Sequence, residues 1–271
     1  MTPRRIPNSA IVKSTAKTIL KGRWMEAVIA SSLLLFSLLI MIFLCSLLPT
    51  VADQITLLAV NIFGLMFSLF VISPLVLGTV RYFWRLTDGA KDDISVVFYY
   101  FANKKKYLRA VSVSVAMFWR VVTVIFISML PHTISVVLSE TWLYQVLGQG
   151  IPIWTTNLML IRSFFYIVGI VCSALYLARY YLVPVIVVMD DQLLMLEAVH
   201  ISSMVSKRSG SAFLALLTSM IGYIIISVLL IPTIYTLPLF LCCYVIHSRF
   251  AVVNYNLMLD YYENNSTTGT Y

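Results

Sequence analysis

The chain has 271 residues, 61% of them hydrophobic and 11% charged, with 19 Lys and Arg against 11 Asp and Glu and a mean hydropathy of +0.93. A soluble domain this apolar would precipitate, and the length suits one helical bundle of about six membrane crossings with no separate soluble catalytic domain. The basic surplus lies beside apolar runs, where it orients a membrane protein, so nucleic acid is not an expected partner.

Residues 1–26 carry Arg4, Arg5, Lys13, Lys17, Lys21 and Arg23 against Glu26 alone. Ile11, Thr15, Ile19 and Leu20 recur at helical spacing after a possible Ser9 cap, which predicts a basic amphipathic helix. Such a helix either lies on anionic lipid, each basic group contributing about 1 kcal/mol near a charged leaflet, or serves only to orient the chain. The charged leader is too long, and the apolar run after it too extended, for a cleaved signal peptide, so the first crossing is expected to stay in the mature protein.

From Ala27 to Ala52 and from Gln54 to Val80 there is no formal charge, and Asp53 alone separates the two. They predict spans one and two, since a hydrocarbon core roughly 30 Å thick takes about 20 residues of helix. Pro49 is expected to help end the first span. Pro74, with Gly78 one turn on, should kink or unwind the second, for packing or for binding.

The next segment holds Arg81, Arg85, Lys91, Lys104, Lys105, Lys106 and Arg109 against Asp88, Asp92 and Asp93. Within it ISVVFYYF, from Ile94 to Phe101, predicts a short aromatic helix in the membrane interface, or a docking site for a partner. Span three is expected over 110–130, ending at Pro131, with Arg120 near its centre. Residues 131–156 contain Glu140 but no Lys or Arg, and Trp142, Tyr144 and Trp154 suit an outer aromatic belt around a re-entrant or surface helix.

Span four follows over 157–183, with Arg162 and Arg179 near its ends and expected to snorkel. After Pro184, Leu193, Leu196, Val199 and Met204 predict one face of an interface helix ending in Lys207, Arg208 and Gly210. Residues 209–248 then lack formal charge and are long enough for spans five and six, with Pro232 to Pro238 as the turn. Arg249 lies in the inner half of span six, before a polar tail over 260–271.

The expected architecture is therefore all-α, a six-span bundle over 27–259 with amphipathic helices at the cytoplasmic interface. The basic residues of the leader and the 81–109 loop, with Arg179, Lys207 and Arg208, alternate with outer loops that have none. The positive-inside rule then puts both termini in the cytoplasm. The sequons at Asn264 and Asn265 fall on that side, away from glycosylation. A faint repeat, with one basic helix closing in LKG and another in KRSG before a pair of spans, suggests two related halves.

Catalytic and metal motifs fail on spacing. His132, His200 and His247 lie on different segments, and there is no H-E-x-x-H, G-x-S-x-G or Gly-rich nucleotide loop. Cys45, Cys172, Cys242 and Cys243 sit in apolar runs and read as core residues rather than disulfide or zinc ligands. Asp88-Gly89 opens like the motif of enzymes that transfer phosphoalcohols from CDP-linked lipids, but the later aspartates are missing. Asp190-Asp191 begins like a diphosphate-binding DDxxD, but position 194 is leucine. Both aspartate pairs are expected to cap helices or pair with cytoplasmic cations.

No enzyme activity, cofactor or metal is expected. Arg120 is the costly residue, because a central arginine opposes insertion by about 3 kcal/mol on translocon scales and so should face protein or a wet cavity. It is the candidate anion or headgroup ligand, with Arg249 sharing the site if span six is long. The alternative is a structural arginine bonded to carbonyl and hydroxyl oxygens. Lys13, Lys17, Lys21, Arg23, Lys104, Lys105 and Lys106 are candidates to contact anionic lipid or a protein partner.

Residues 180–240, in the order Tyr and Pro, the aspartate pair, Glu197-Ala198, the helix with its Gly, and the apolar hairpin ending in proline, resemble a family of integral membrane proteins of Gram-positive bacteria, domain-of-unknown-function family nine-seven-five. AKTILKGRW at 16–24 looks like that family's leader. The resemblance implies a bacterial cytoplasmic membrane and a six-span body, with no assigned activity. Two functions stay open: a carrier or lipid-handling protein for an anionic or amphiphilic compound, and an assembly or regulatory protein that recruits a partner or anionic lipid, with homo-oligomers possible.

Overall fold

The computed structural model describes residues 7–47, 54–90, 93–137, 152–226 and 230–268, and all regular structure among them is helical. Five helical stretches are long and apolar enough to cross a membrane: Trp24–Leu44, Leu58–Thr87, Lys104–Val137, Met159–Met189 and Pro232–Asn256. They correspond to spans one to four and six. Residues 209–226, expected to begin span five, are divided at Met220 and lead into 227–229, which lie outside the described residues. So do Pro49, Asp53, Glu140, Trp142 and Tyr144.

The chain divides into two compact units, 1–114 with 180–271, and 115–179. In the larger unit α1 (Ser9–Leu20) buries Val12, Ala16 and Leu20, at 1%, 0% and 0% exposure, while Ile11 is exposed. Of the expected stripe Leu20 is buried and Ile19 half-buried, whereas Ile11 and Thr15 are exposed, so the inward face is turned toward Val12 and Ala16. Asn8, not Ser9, takes the N-cap position. Gly22, at φ +86°, makes the turn into α2 (Trp24–Leu47), a conformation that costs glycine little.

The second crossing joins α3 (Gln54–Phe67) to α4 (Ser73–Thr87) through a single π-helical stretch, Ser68–Ile72. This is the break expected from Pro74, displaced one turn toward the N-terminus. Proline has no N–H for the carbonyl four residues back, which is that of Phe70. The Tyr107 hydroxyl donates to that carbonyl at 3.0 Å. Tyr107→Phe should therefore lower stability by about 1 kcal/mol with the fold intact, measurable as a lowered thermal midpoint in detergent.

After Gly89 (φ +77°), the segment Ile94–Phe98 forms a 3-10 turn whose Asp93 cap accepts from the Ile94 N–H at 2.8 Å. This aromatic segment is not only a surface anchor. Val97 and Tyr100 are fully buried, and the Val97 backbone lies directly against Gly78.

Helix α5 (Lys104–Val137) runs straight through Pro131. A membrane helix tolerates such a proline because neighbouring groups can satisfy the freed carbonyl. In the smaller unit α5 meets α6 (Pro152–Leu177) where Gly169 faces the Ser128 carbonyl and Met129. Small residues allow such approach where lipid offers no hydrophobic gain. Arg162 donates to the Val136 carbonyl at 3.2 Å, and its own carbonyl meets His132 Nδ1 at 3.2 Å. Arg179 packs over the Tyr176 ring at 5.2 Å, and Cys172 is exposed rather than core.

Back in the larger unit lie α7 (Val183–Met189), α8 (Met195–Ser219), α9 (Ile221–Ile226) and α10 (Leu230–Thr268). Helix α8 passes through Lys207, Arg208 and Gly210 without interruption, so no separate interface helix ends there. Gly210 is helical where Gly22 is a turn, and the faint sequence repeat does not extend to the backbone.

The inward face of α8 is Ala198, Val199, Ser202, Val205, Ser206 and Ser209, so of the expected face Val199 is buried and Leu193 half-buried, whereas Leu196 and Met204 are exposed. Pro232 and Pro238 are both inside α10, which also continues through the polar segment to Thr268. Cys242 and Cys243 are buried core residues, as their apolar setting predicts.

Candidate functional site

Arg23, Arg109, Asp191 and Arg249, from four different segments, make contacts around the C-terminal turns of α4 and the loop after it. Asp191 follows α7 and accepts two parallel bonds from Arg81, Nη1 to Oδ1 at 3.0 Å and Nη2 to Oδ2 at 3.2 Å. A planar guanidinium matched edge to edge with a carboxylate gives direction as well as charge. The Tyr99 hydroxyl donates to Oδ2 at 2.9 Å, and Arg109 Nη1 reaches Oδ1 at 3.3 Å.

Arg109 also ties down the loop after α7. Its Nη2 donates to the carbonyls of Asp190 at 2.6 Å and Leu193 at 3.2 Å. The Asp190 carboxylate accepts from the Gln192 N–H at 2.7 Å, a local turn of the chain. The aspartate pair is therefore used as the charge reading expects, one member as a turn cap and the other as a counter-ion.

Tyr99 is held between cations. The Arg81 guanidinium carbon is 3.6 Å from its ring centroid and Lys106 Nζ is 3.7 Å away. Two cations this close to one centroid must take opposite faces of the ring. Partial burial opposes the charge on Asp191, but the bonds from Arg81 and Tyr99 and the charges of Arg81 and Arg109 outweigh it and hold its pKa below the ordinary 3.8. Tyr100 is 1% exposed, and burial raises its pKa against the opposing charge of Arg81.

Nearby, Arg249 of α10 forms an ion pair with Asp88 and lies over the Trp84 ring at 5.0 Å. Asp88-Gly89 is thus a helix end with a counter-ion. Arg23 donates to the Ala90 carbonyl at 2.7 Å and pairs with Glu26 at 3.5 Å. Lys13 reaches the Ser219 carbonyl at 3.1 Å, near the C-terminal end of α8, where a cation meets the negative end of the helix dipole.

The sequence candidates are therefore divided. Arg249 has Asp88 and Trp84 as neighbours, while Arg120 is half-buried midway along α5 and belongs to the smaller unit. Lys13, Arg23 and Lys106 make internal contacts, whereas Lys17, Lys21, Lys104 and Lys105 are exposed. Arg81, Tyr99, Arg109 and Asp191 do not stand out as a site in the sequence. Their only signal there is that each lies in a charged or aromatic segment, with 82 to 110 residues between Asp191 and its two arginines.

A second polar cluster lies deeper, where the Tyr181 hydroxyl is 2.9 Å from Ser209 Oγ and 3.3 Å from His247 Nε2. The Tyr181 ring stacks on Phe213 at 4.0 Å. Among the described residues no group of three or more His, Cys, Asp or Glu side chains is gathered as a metal site.

Five crossing-length apolar helices and a charged cluster built from segments distant in sequence define a multi-pass helical membrane protein. No family model, no curated protein and no solved structure matches the chain.

Proposed function

We propose that this is a non-enzymatic protein of the bacterial cytoplasmic membrane, crossing six times with both termini inside, that binds or moves an anionic or amphiphilic small molecule or lipid. The observation that carries the reading is the gathering of the basic segments around one end of α4. Arg23 bonds Ala90, Arg109 bonds the Asp190 carbonyl, and Arg249 pairs with Asp88. Each contact closes a loop of chain that leaves this end and comes back to it, which favours an even number of crossings. The remaining crossing is assigned to the apolar part of α8 with α9. By the positive-inside rule the shared end faces the cytoplasm. The resemblance to family nine-seven-five agrees with this topology and is part of the proposal.

Arg120 supplies the element for movement: a cation at the middle of a crossing-length helix is expensive in lipid unless protein or water receives it. Arg120→Leu should fold and yet lose most of the rise in thermal midpoint that a short-chain anionic phospholipid gives the parent protein. A variant that fails to fold, with a parent that no anion stabilises, would give Arg120 to the structural reading.

A second reading, recruitment of a protein partner, is favoured by the exposure of Lys17, Lys21, Lys104 and Lys105. Photo-crosslinkers at 17 and 104 should then capture one recurring neighbour. Capture of lipid alone speaks against it.

A further inference from the structure

The cluster around Asp191 has more cation than it needs. Among the described residues, Arg81, Lys104, Lys105, Lys106 and Arg109 stand against Asp93, Asp190 and Asp191, and two of those carboxylates are engaged by backbone N–H groups of their own turns. The bonds of Arg81 to Asp191 use its two terminal nitrogens. Arg81 also interacts with the buried Tyr100 side chain, so it is committed within the protein.

The cation left over is on Lys104, Lys105 and Lys106, of which Lys104 and Lys105 are exposed and Lys106 lies over the Tyr99 ring.

The same segment has a shallow groove. Ser95, Val96, Phe98, Tyr99, Phe101 and Ala102 line an open depression of about 510 Å³. Phe98 is 46% exposed and Phe101 39%. Tyr99 belongs to both features, with its ring between Arg81 and Lys106 and its edge in the groove. A cationic, donor-rich corner is therefore continuous with an aromatic, apolar trough.

We infer that this corner and trough hold one anionic phospholipid of the cytoplasmic leaflet, its phosphate at Lys106 beside exposed Lys104 and Lys105 and its glycerol and upper acyl chain along Phe98 and Phe101. The charge complementarity selects an anionic over a zwitterionic headgroup, and the aromatic trough selects a lipid over a free phosphate. Lys106 is the separable contact, because Arg81 and Arg109 also hold Asp191 and the loop after α7. The inference rests on the proposed lipid-binding reading and on this end of the protein facing the cytoplasm.

The test is native mass spectrometry of the full chain released from mixed micelles of phosphatidylglycerol and phosphatidylcholine, with thermal midpoints recorded in parallel. The parent should retain phosphatidylglycerol in preference. Lys106→Gln should reduce that preference about fivefold, the factor expected of one basic group at a charged leaflet, and Lys106→Arg should restore it. Phe98→Gln should weaken retention of the long-chain lipid more than of its dihexanoyl form.

An unchanged preference in Lys106→Gln overturns the site. If that preference instead vanishes in Arg120→Leu, the lipid-binding reading stands and only its location here is lost. Equal competition by glycerol phosphate overturns the lipid in favour of a soluble anion. No preference in the parent overturns both. A Lys104→Cys variant labelled only from the outer face of intact cells would overturn the orientation that the inference needs.

Discussion

Gly78→Ala is expected to destabilise the protein more than any other single methyl added to a helix here. A Cβ at this position would sit 1.8 Å from the Val97 carbonyl oxygen and 2.7 Å from its carbon, and both are backbone atoms with no rotamer to escape into. The 3-10 turn would have to move off α4, carrying with it fully buried Val97 and Tyr100 and, one residue away, the Tyr99 that bonds Asp191.

Overpacking of a tight core costs about 1–3 kcal/mol, and a backbone clash belongs at or beyond the upper end. The expected result is a thermal midpoint well below that of the parent, with faster proteolysis in the 88–103 segment. Gly210→Ala is the control, since no atom lies within 4 Å of the added carbon and a helix interior gains from alanine. A Gly78→Ala protein as stable as the Gly210→Ala protein would mean that α4 and the 94–98 turn are not in contact.

The crossings are legible in the sequence because the bilayer constrains composition directly: uncharged runs as long as 27–52 and 54–80 are what hydrocarbon requires of a helix and what a water-facing surface excludes. The faces are not legible in the same way. On α1 and α8 the large apolar residues are expected to point inward, as they do in water. The structure does bury Leu20 on α1 and Val199 on α8, but it also buries Ala16, Ala198, Ser202, Ser206 and Ser209 and leaves Ile11 and Leu196 outside. Lipid solvates leucine as well as the interior does, so close backbone approach through small residues decides which side faces protein.

Prolines mislead for a related reason. Pro131, Pro232 and Pro238 do not end helices here, whereas Pro74 lies one turn after a real backbone change and Tyr107 takes up the carbonyl it frees. Which outcome a proline has depends on a partner far away in sequence, and a local pattern contains no such information.

The same is true of the charged cluster. That Asp191 would meet cations is readable from its position beside basic segments. Which cations, and that Tyr99 lies between two of them, depends on the packing of the 94–98 turn against Gly78. The segments expected to face the cytoplasm are thus bound into the helical unit, and an anionic ligand at Lys106 would be felt through Tyr99 and Asp191 by α4, α5 and the loop after α7.

Asp191→Ala should give the second large effect, and its size should depend on pH. The change removes the shared acceptor of Arg81, Arg109 and Tyr99 and leaves two arginines whose side chains are only 16% and 21% exposed without their carboxylate. A fully buried pair broken in this way costs about 3–5 kcal/mol, but Asp191 is 41% exposed, and solvent screening brings the expected loss to about 2 kcal/mol.

Asp190→Asn should be nearly silent by comparison, since an amide oxygen can still accept from the Gln192 N–H. A diphosphate-type role for the pair would predict similar losses of function at both positions. The pKa of Asp191 is lowered in the folded protein, so folding favours its charged form. The stability it contributes is fully present above the ordinary carboxylate range and is lost as pH falls through the folded value, which lies below 3.8. Thermal midpoints of the parent and Asp191→Ala should therefore be far apart near neutral pH and converge only under strongly acidic conditions, below about pH 4. A gap that stays constant from neutral to acid would show that the carboxylate's charge is not what holds Arg81 and Arg109 in place.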